Sequence, residues 1–190
     1  MPTLDPARDL AALSALQGTI DALLALDANV LSTVVPSVSG WSAEQHIAHV
    51  ALANELVLRN LKSLVKGSGM LVVKGGEPHP RALELLAAGR LPRGEAQAPR
   101  MVRPPERVER ALLVQWLEDG KRELATIDAA QLVASELKVP HQILGPLDAR
   151  QWLRFGAVHT RHHLVIACDV LASVAPGARV PQLVELASGA

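Results

Sequence analysis

The chain has 190 residues, and its 19 Lys and Arg balance 19 Asp and Glu, so the formal net charge at pH 7 is zero. Hydrophobic residues make up 49% and aromatic residues only 2%, a composition typical of one compact domain, here residues 1–190. The neutral charge, the lack of Tyr and the single Phe exclude both a basic footprint and a base-stacking platform. We therefore expect no nucleic-acid partner.

The sequence also disfavours a membrane protein and a protein stabilised by disulfides. No apolar run reaches the 18 or so residues that a membrane span needs, and Asp5 and Asp9 stand where a signal peptide would be basic and then apolar. Cys168, the single cysteine, excludes an internal disulfide and a zinc site of four cysteines. We expect a cytoplasmic protein that does not contact membranes.

Four segments show apolar residues at three- and four-residue spacing, and their Ala, Leu and Val content favours helices. Asp5 followed by Pro6 marks the start of the first, and a capping box of Ser42 and Gln45 marks the start of the second. Asp148 is the predicted N-cap of the fourth. The predicted helices cover about residues 5–30, 42–67, 106–127 and 148–171.

Two long connections separate these helices. Residues 67–105 are rich in Gly, Pro and Arg and contain one short helical patch at 81–88, while residues 70–74 suit either a strand or an extended crossing segment. A connection of this length is usually functional or mobile. Residues 134–146 form a second loop, and 180–190 form a last helical turn or fray. The whole pattern predicts an all-α four-helix bundle with a long loop between its second and third helices.

Five of the seven histidines fall in two groups, His46 and His49 on the second helix and His159, His162 and His163 on the fourth. Residues four apart project from one helical face, so His159 and His163 can reach one metal ion. A zinc site with three protein ligands and an open position needs one more histidine from a facing helix. Both groups lie on helices that we expect to pack together in the bundle.

An exposed histidine pair is common without any metal, so the spacing alone leaves a surface pair open. The flanking residues Val158, Leu164, Val165 and Ile166 indicate that part of this segment faces protein. A neutral imidazole there needs a hydrogen-bond partner or a metal ion. The flanks therefore favour a site over a surface pair.

Several segments together carry a family resemblance. The fourth-helix region reads HQILGPL at 141–147, QWLRF at 151–155 and HTRHH at 159–163, and the second helix begins WS at 41–42 and continues QHIAHV at 45–50. This pattern resembles DinB-like proteins over most of the chain, apart from residues 67–105. The resemblance implies a four-helix bundle in up-down-down-up order, commonly a homodimer, that binds a divalent metal ion, zinc or nickel, through three histidines. Carried onto this sequence, the ligands would be His49, His159 and His163.

The other histidines are assigned lesser roles. His162 lies off the line that joins His159 and His163, and we interpret both His46 and His162 as surface groups or as groups behind the ligands. His141 is expected to make a structural hydrogen bond, although a loop histidine near a site could also contact substrate.

For the remaining candidates we favour structural roles. We expect Trp41, Trp116 and Trp152 to pack in the core, and Cys168 to act as a small apolar residue. Glu55 is not on the helical line of His49, so it is not assigned as a general base. The arginines are dispersed, although Arg93, Arg100 and Arg103 in the long loop leave open a contact with an anionic ligand.

Three functions remain open. A metal ion with an open position lowers the pKa of a bound water or thiol, and the resemblance implies either a hydrolase or a low-molecular-weight thiol S-transferase acting on a small molecule. The alternative is a non-catalytic, stress-related bundle that binds metal or a small ligand. In the third case the histidines are incidental. The sequence identifies no catalytic residue besides the ligands.

Overall fold

The computed structural model describes residues 4–94, 97–177 and 181–186. These residues form six helices and three short strands. The helices are α1 Pro6–Leu24, α2 Ala28–Ser32, α3 Ala43–Lys66, α4 Pro80–Ala88, α5 Arg110–Leu124 and α6 Ala149–Val174. The strands are β1 Val73–Lys74, β2 Leu137–His141 and β3 Gly145–Leu147, and single 3-10 turns lie at Arg100–Val102 and Ala129–Gln131.

The four long helices α1, α3, α5 and α6 confirm the predicted bundle. α6 packs against both α1 and α3, and α5 packs against the same two helices from the other side. The first and second long helices, α1 and α3, therefore lie across one diagonal, and the third and fourth lie across the other. This arrangement makes α3 and α6, the two histidine-bearing helices, direct neighbours.

The predicted first helix, residues 5–30, is wrong beyond Leu24. α1 ends there, and Asp27 caps the separate helix α2, its carboxylate accepting the backbone N–H groups of Asn29 at 2.8 Å and Val30 at 3.4 Å. Aspartate suits an N-cap because its short side chain satisfies N–H groups that have no helical partner. The apolar spacing continues through the break, which is why it suggested one helix.

A close approach brings α3 and α6 together next to the histidines. Gly156 of α6 faces Val57 of α3, and a Cβ added at Gly156 would lie 3.1 Å from a methyl carbon of Val57. Nearby, the buried Asn54 carboxamide lies within hydrogen-bond distance of the Thr160 hydroxyl, at 3.0 and 3.1 Å. These contacts fix the spacing of the helices between which the site lies.

A small sheet joins the two long connections. β1 pairs antiparallel with β2, with Val73 opposite Lys138, and β2 pairs antiparallel with β3, with His141 opposite Gly145. The segment at 70–74 thus contains a strand, whereas the prediction of a plain loop at 134–146 is wrong. The structural hydrogen bond predicted for His141 is confirmed. Its Nδ1 accepts hydrogen bonds from the backbone N–H groups of Ile143 and Leu144 at 3.2 and 3.1 Å.

Helix α4 confirms the helical patch predicted at 81–88, and Arg154 of α6 holds it in place. The Arg154 Nε donates to the Leu86 carbonyl at 2.9 Å, and Nη1 lies 2.8 Å from the Asp9 carboxylate in a buried ion pair. One side chain therefore ties α4 to both α1 and α6.

Two further expectations concern the last residues of the chain and membrane-spanning helices. Residues 181–186 form no helical turn, while 180 and 187–190 lie outside the described residues. Among the described helices, none combines the length and the apolar character that a membrane crossing requires.

Candidate metal centre

Three histidine side chains meet between α3 and α6. His49 comes from the second turn of α3, which the Ser42 capping box starts, and His159 and His163 come from successive turns of α6. One ring nitrogen from each lies within 4.8 Å of the other two. His49 is only 2% exposed, the other two are partly buried, and all three line a cavity. We call these three residues the histidine cluster.

The spacing of two ring nitrogens suits a metal ion. The Nε2 atoms of His49 and His159 are 3.1 Å apart. Two ligands of a tetrahedral zinc ion, each at 2.0–2.1 Å from it, are separated by about 3.3–3.4 Å. The donor set of neutral imidazole nitrogens and the spacing of these two atoms therefore both fit a divalent ion.

The long connection takes part in the site. The His49 Nδ1 donates to the Val102 backbone carbonyl at 2.7 Å. A carbonyl oxygen can only accept, so the His49 proton is on Nδ1 and Nε2 keeps its lone pair. Metal-binding histidines commonly use their second nitrogen in this way, which fixes the ring and its tautomer.

Burial lowers the pKa of every histidine in the cluster below the ordinary value. For His159 and His163 desolvation is the largest cause, and repulsion from neighbouring imidazoles adds to it. For His49 desolvation also lowers the pKa, and the bond to Val102 opposes it. All three rings are therefore neutral at pH 7, and the neutral imidazole is the form that binds metal.

His46 is not the surface group that one sequence interpretation allowed. It is 3% exposed, and its Nδ1 lies 3.0 Å from Nδ1 of His163, while its Nε2 lies 2.9 Å from the Ser39 hydroxyl. His162 is partly buried, bonds to the Leu91 backbone and is not among the converging nitrogens. The i,i+3 spacing of His46 and His49 was the available signal, and it shows only that they share a helical face.

Trp41 was expected to be a packing residue, but it belongs to the site. Its ring centroid lies 5.4, 5.2 and 6.2 Å from those of His46, His49 and His163, and it lines the cavity. Trp152 is buried as predicted, with Nε1 donating to the Val139 carbonyl at 3.0 Å. Trp116 also packs against the core as predicted.

A cavity of about 440 Å³ opens over the histidine cluster. Its walls come from α3, α4, α6 and both long connections, and they are mainly apolar. Apart from the histidine cluster, the polar or charged residues of the described lining are His79, Arg81, Gln97, His141, Gln142 and His162. Neither Asp nor Glu occurs in that lining. Such a partly enclosed apolar space with a few polar groups is typical of a small-molecule site.

The remaining sequence candidates lie outside this site. Glu55 is exposed and pairs with Arg59 at 2.6 Å. Arg93 pairs with Asp169 at 2.5 Å, and neither Arg100 nor Arg103 lines the cavity.

Cys168 packs beside the apolar core of the bundle, in agreement with its predicted structural role. Burial raises the pKa of its thiol to about 11, so the thiolate form is scarce at pH 7.

Comparison with known proteins supports the resemblance seen in the sequence. No curated protein and no solved structure matches the chain significantly. A family model described as the DinB superfamily matches residues 11–167, which include all three members of the histidine cluster. That match covers most of the chain and agrees with the bundle and with the paired histidine-bearing helices, and the chain belongs to the DinB superfamily.

Proposed function

We propose that His49, His159 and His163 bind a divalent metal ion, zinc or nickel, and that the protein uses it to act on a small molecule in the cavity. The observation that carries this proposal is the convergence of three neutral ring nitrogens within 4.8 Å of one another in the lining of a mainly apolar cavity. Three histidine ligands with one position left for a small molecule are typical of catalytic zinc sites.

A divalent ion in such a site supplies Lewis acidity and lowers the pKa of a water or thiol at its open position. The protein's own contribution is electrostatic. Three neutral imidazoles do not cancel the charge of a divalent ion, and no carboxylate lines the described part of the cavity. The positive charge of an ion held here would therefore be left uncompensated by these side chains, and the site would favour an anionic small molecule over a neutral one.

The cavity walls favour a small substrate with an apolar body. Leu56, Leu85, Leu91 and Phe155 offer an apolar surface for the body of a small substrate, with the polar groups of Gln97 and Gln142 elsewhere in the lining. We propose either hydrolysis or transfer of a low-molecular-weight thiol to an electrophile. The alternative, a non-catalytic stress-related protein that binds metal or a small ligand, uses the same cavity without turnover.

Metal content tests the binding step. Protein purified with zinc or nickel should hold one ion per chain, and His49→Ala, His159→Ala and His163→Ala should each lose it, as measured by mass spectrometry of the metal. His162→Ala is the matched control, because position 162 is rotated by about 100° from position 163 on the helix. Equal metal content in all four variants would contradict the ligand assignment.

Activity tests the second step. The zinc- and nickel-loaded proteins should be assayed with a panel of small thiols and a generic electrophile, and separately with ester and amide substrates. We expect turnover in one class that disappears in His49→Ala. Full metal occupancy with no turnover in either class would favour the non-catalytic alternative.

A further inference from the structure

His46 lies directly behind one member of the histidine cluster. Its Nδ1 is 3.0 Å from Nδ1 of His163, and its Nε2 is 2.9 Å from Oγ of Ser39. Ser39 is held in turn, because its Oγ accepts the backbone N–H of Trp41 at 3.1 Å. A chain of hydrogen bonds thus runs from the loop before α3, through His46, to a proposed metal ligand on α6.

The protons in this chain can be arranged in two ways. Each neutral imidazole carries one proton, so one Nδ1 of the pair must donate and the other must accept. If His163 donates from Nδ1, its Nε2 keeps a lone pair, and His46 donates from its own Nε2 to Ser39. If His46 donates from Nδ1 instead, His163 carries its proton on Nε2, and that nitrogen cannot bind a metal ion.

The first arrangement is the one that a metal ion requires. It also resembles the arrangement at His49, whose Nδ1 donates to the Val102 carbonyl. The difference lies in the acceptor, since a carbonyl fixes the tautomer of His49 whereas His46 can itself donate or accept. Ser39 suits the first arrangement because its oxygen can accept from both Trp41 and His46.

We propose that His46, anchored by Ser39, is a positioning residue that holds the ring of His163 with its proton on Nδ1 and its Nε2 directed to the metal. The proposal rests on the proposed metal-binding function. His46 accepts a hydrogen bond from a ligand and contributes no ligand atom itself. Partners of this kind typically change metal affinity by about 10- to 100-fold when they are removed.

Zinc affinity, measured by competition with a chromophoric chelator, tests the role of the hydrogen bond. His46→Leu introduces an apolar side chain of similar bulk that cannot accept a hydrogen bond. We expect the zinc affinity of this variant to fall by about 10- to 100-fold. His46→Asn places a side-chain oxygen near the position of Nδ1, and it should recover most of the lost affinity. His162→Leu, a change on α6 beside the same ligand, should bind zinc within about twofold of the wild type.

Ser39→Ala gives a test that does not depend on the buried His46 position. Ser39 is only partly buried, so the variant should fold normally, and it should bind zinc several-fold more weakly because His46 loses its anchor. Absorption of the cobalt-loaded proteins should change in His46→Leu and return toward the wild-type spectrum in His46→Asn. Wild-type affinity in both Ser39→Ala and His46→Leu would overturn the proposal, as would His46→Asn binding as weakly as His46→Leu.

The tautomer can be read without any metal. Long-range proton–nitrogen NMR spectra of the wild-type protein should show His163 with its proton on Nδ1, and His46→Leu should shift that population toward Nε2. A wild-type His163 that carries its proton on Nε2 in the metal-free protein would overturn the proposal. If the wild type instead binds no metal but shows the Nδ1 tautomer, the proposed function fails and the role of His46 in fixing the ring stands.

Discussion

The Nδ1 atom of His49 and the carbonyl oxygen of Val102 are 2.7 Å apart, although 53 residues separate them in the chain. Val102 belongs to the long connection between α3 and α5, which therefore contacts a proposed ligand directly. Gln45 fixes the end of the same connection, its Nε2 donating to the carbonyls of Pro105 and Glu106 at 3.1 Å each. One part of this connection thus contacts the proposed metal site, while other parts line the cavity.

Shortening this connection should have two separable effects. Deleting residues 94–98 removes cavity-lining positions such as Gln97 but keeps Val102, so we expect altered substrate preference with metal content unchanged. Deleting residues 99–103 removes the acceptor for His49, and zinc affinity should fall by about 10- to 100-fold. Chelator competition and thermal melting on both variants provide the measurement. Equal zinc affinity in the two deletions would show that the Val102 contact does not support the site.

Zinc affinity should depend only weakly on pH near neutrality. A site of three imidazoles with the reference pKa of about 6.5 would lose roughly 30-fold in affinity between pH 7 and pH 6, because protons compete for each nitrogen. Burial lowers the pKa of all three proposed ligands here, so protons compete only at lower pH. We therefore expect a change of less than about threefold over that interval, followed by a steep fall at lower pH. Chelator competition at pH 7, 6 and 5 measures it, and a 30-fold loss by pH 6 would contradict it.

His141 should make the fold less stable in acid. Burial lowers the pKa of its ring to about 4 from the ordinary histidine value of 6.5. The unfolded chain therefore binds a proton below about pH 6.5 while the folded protein does not, so stability falls as the pH drops from 6.5 toward 4. Between pH 7 and pH 5 this single group should account for about 2 kcal/mol.

The matched variant for that prediction is His141→Asn. Asparagine offers an oxygen to the N–H groups of Ile143 and Leu144 but does not titrate. Urea unfolding at both pH values should show that the variant loses about 2 kcal/mol less stability than the wild type on acidification. An equal loss in the two proteins would mean that His141 is not held neutral by the fold.

The buried ion pair of Asp9 and Arg154 should matter more than any surface pair. Asp9→Ala removes the carboxylate that lies 2.8 Å from Nη1 of the buried guanidinium, and we expect a loss of about 3–5 kcal/mol in unfolding free energy. Asp21→Ala is the control, because Asp21 is half exposed in its pair with Lys121 and should cost less than about 1 kcal/mol. Urea unfolding measures the loss of unfolding free energy in both variants. Similar losses would contradict the importance of burial.

A homodimer is the expected form in solution. The zero net charge and the 49% hydrophobic content leave apolar surface for a second copy to cover, and the family resemblance implies the same assembly. Side chains such as Met70, Leu71 and Val133 are exposed in the single chain. Sedimentation should give a mass near twice 20.2 kDa at tens of micromolar protein. A stable single-chain mass at that concentration would contradict the prediction.

Sequence reasoning worked where the signal was local. Ser42 and Asp148 start α3 and α6 as predicted, because each capping box lies within four consecutive residues. The four-residue spacing of His159 and His163 likewise determines that they share a face. The convergence of His49 with that pair was predictable only through the family resemblance, since a facing helix leaves no trace in its partner's sequence.

The features that the sequence did not predict are contacts between distant parts of the chain. Val73 pairs with Lys138 across more than sixty residues, and strands this short carry no periodicity of their own. The Val102 contact uses a backbone carbonyl, which any residue type would supply. His46 lies on α3 and Trp41 directly precedes its N-cap, but only the packing of α6 against α3 shows that both lie beside His163.

The pairing of β1 with β2 has a consequence for how the protein could diversify. Because the strands join the two connections that wall the cavity, an insertion before β1 or after β2 can bulge outward while the strand pairing stays anchored. The proposed ligands lie on α3 and α6, which pack directly against each other. Relatives could therefore exchange the wall sequences, and with them the molecules admitted, without rebuilding the helical framework that carries the histidines.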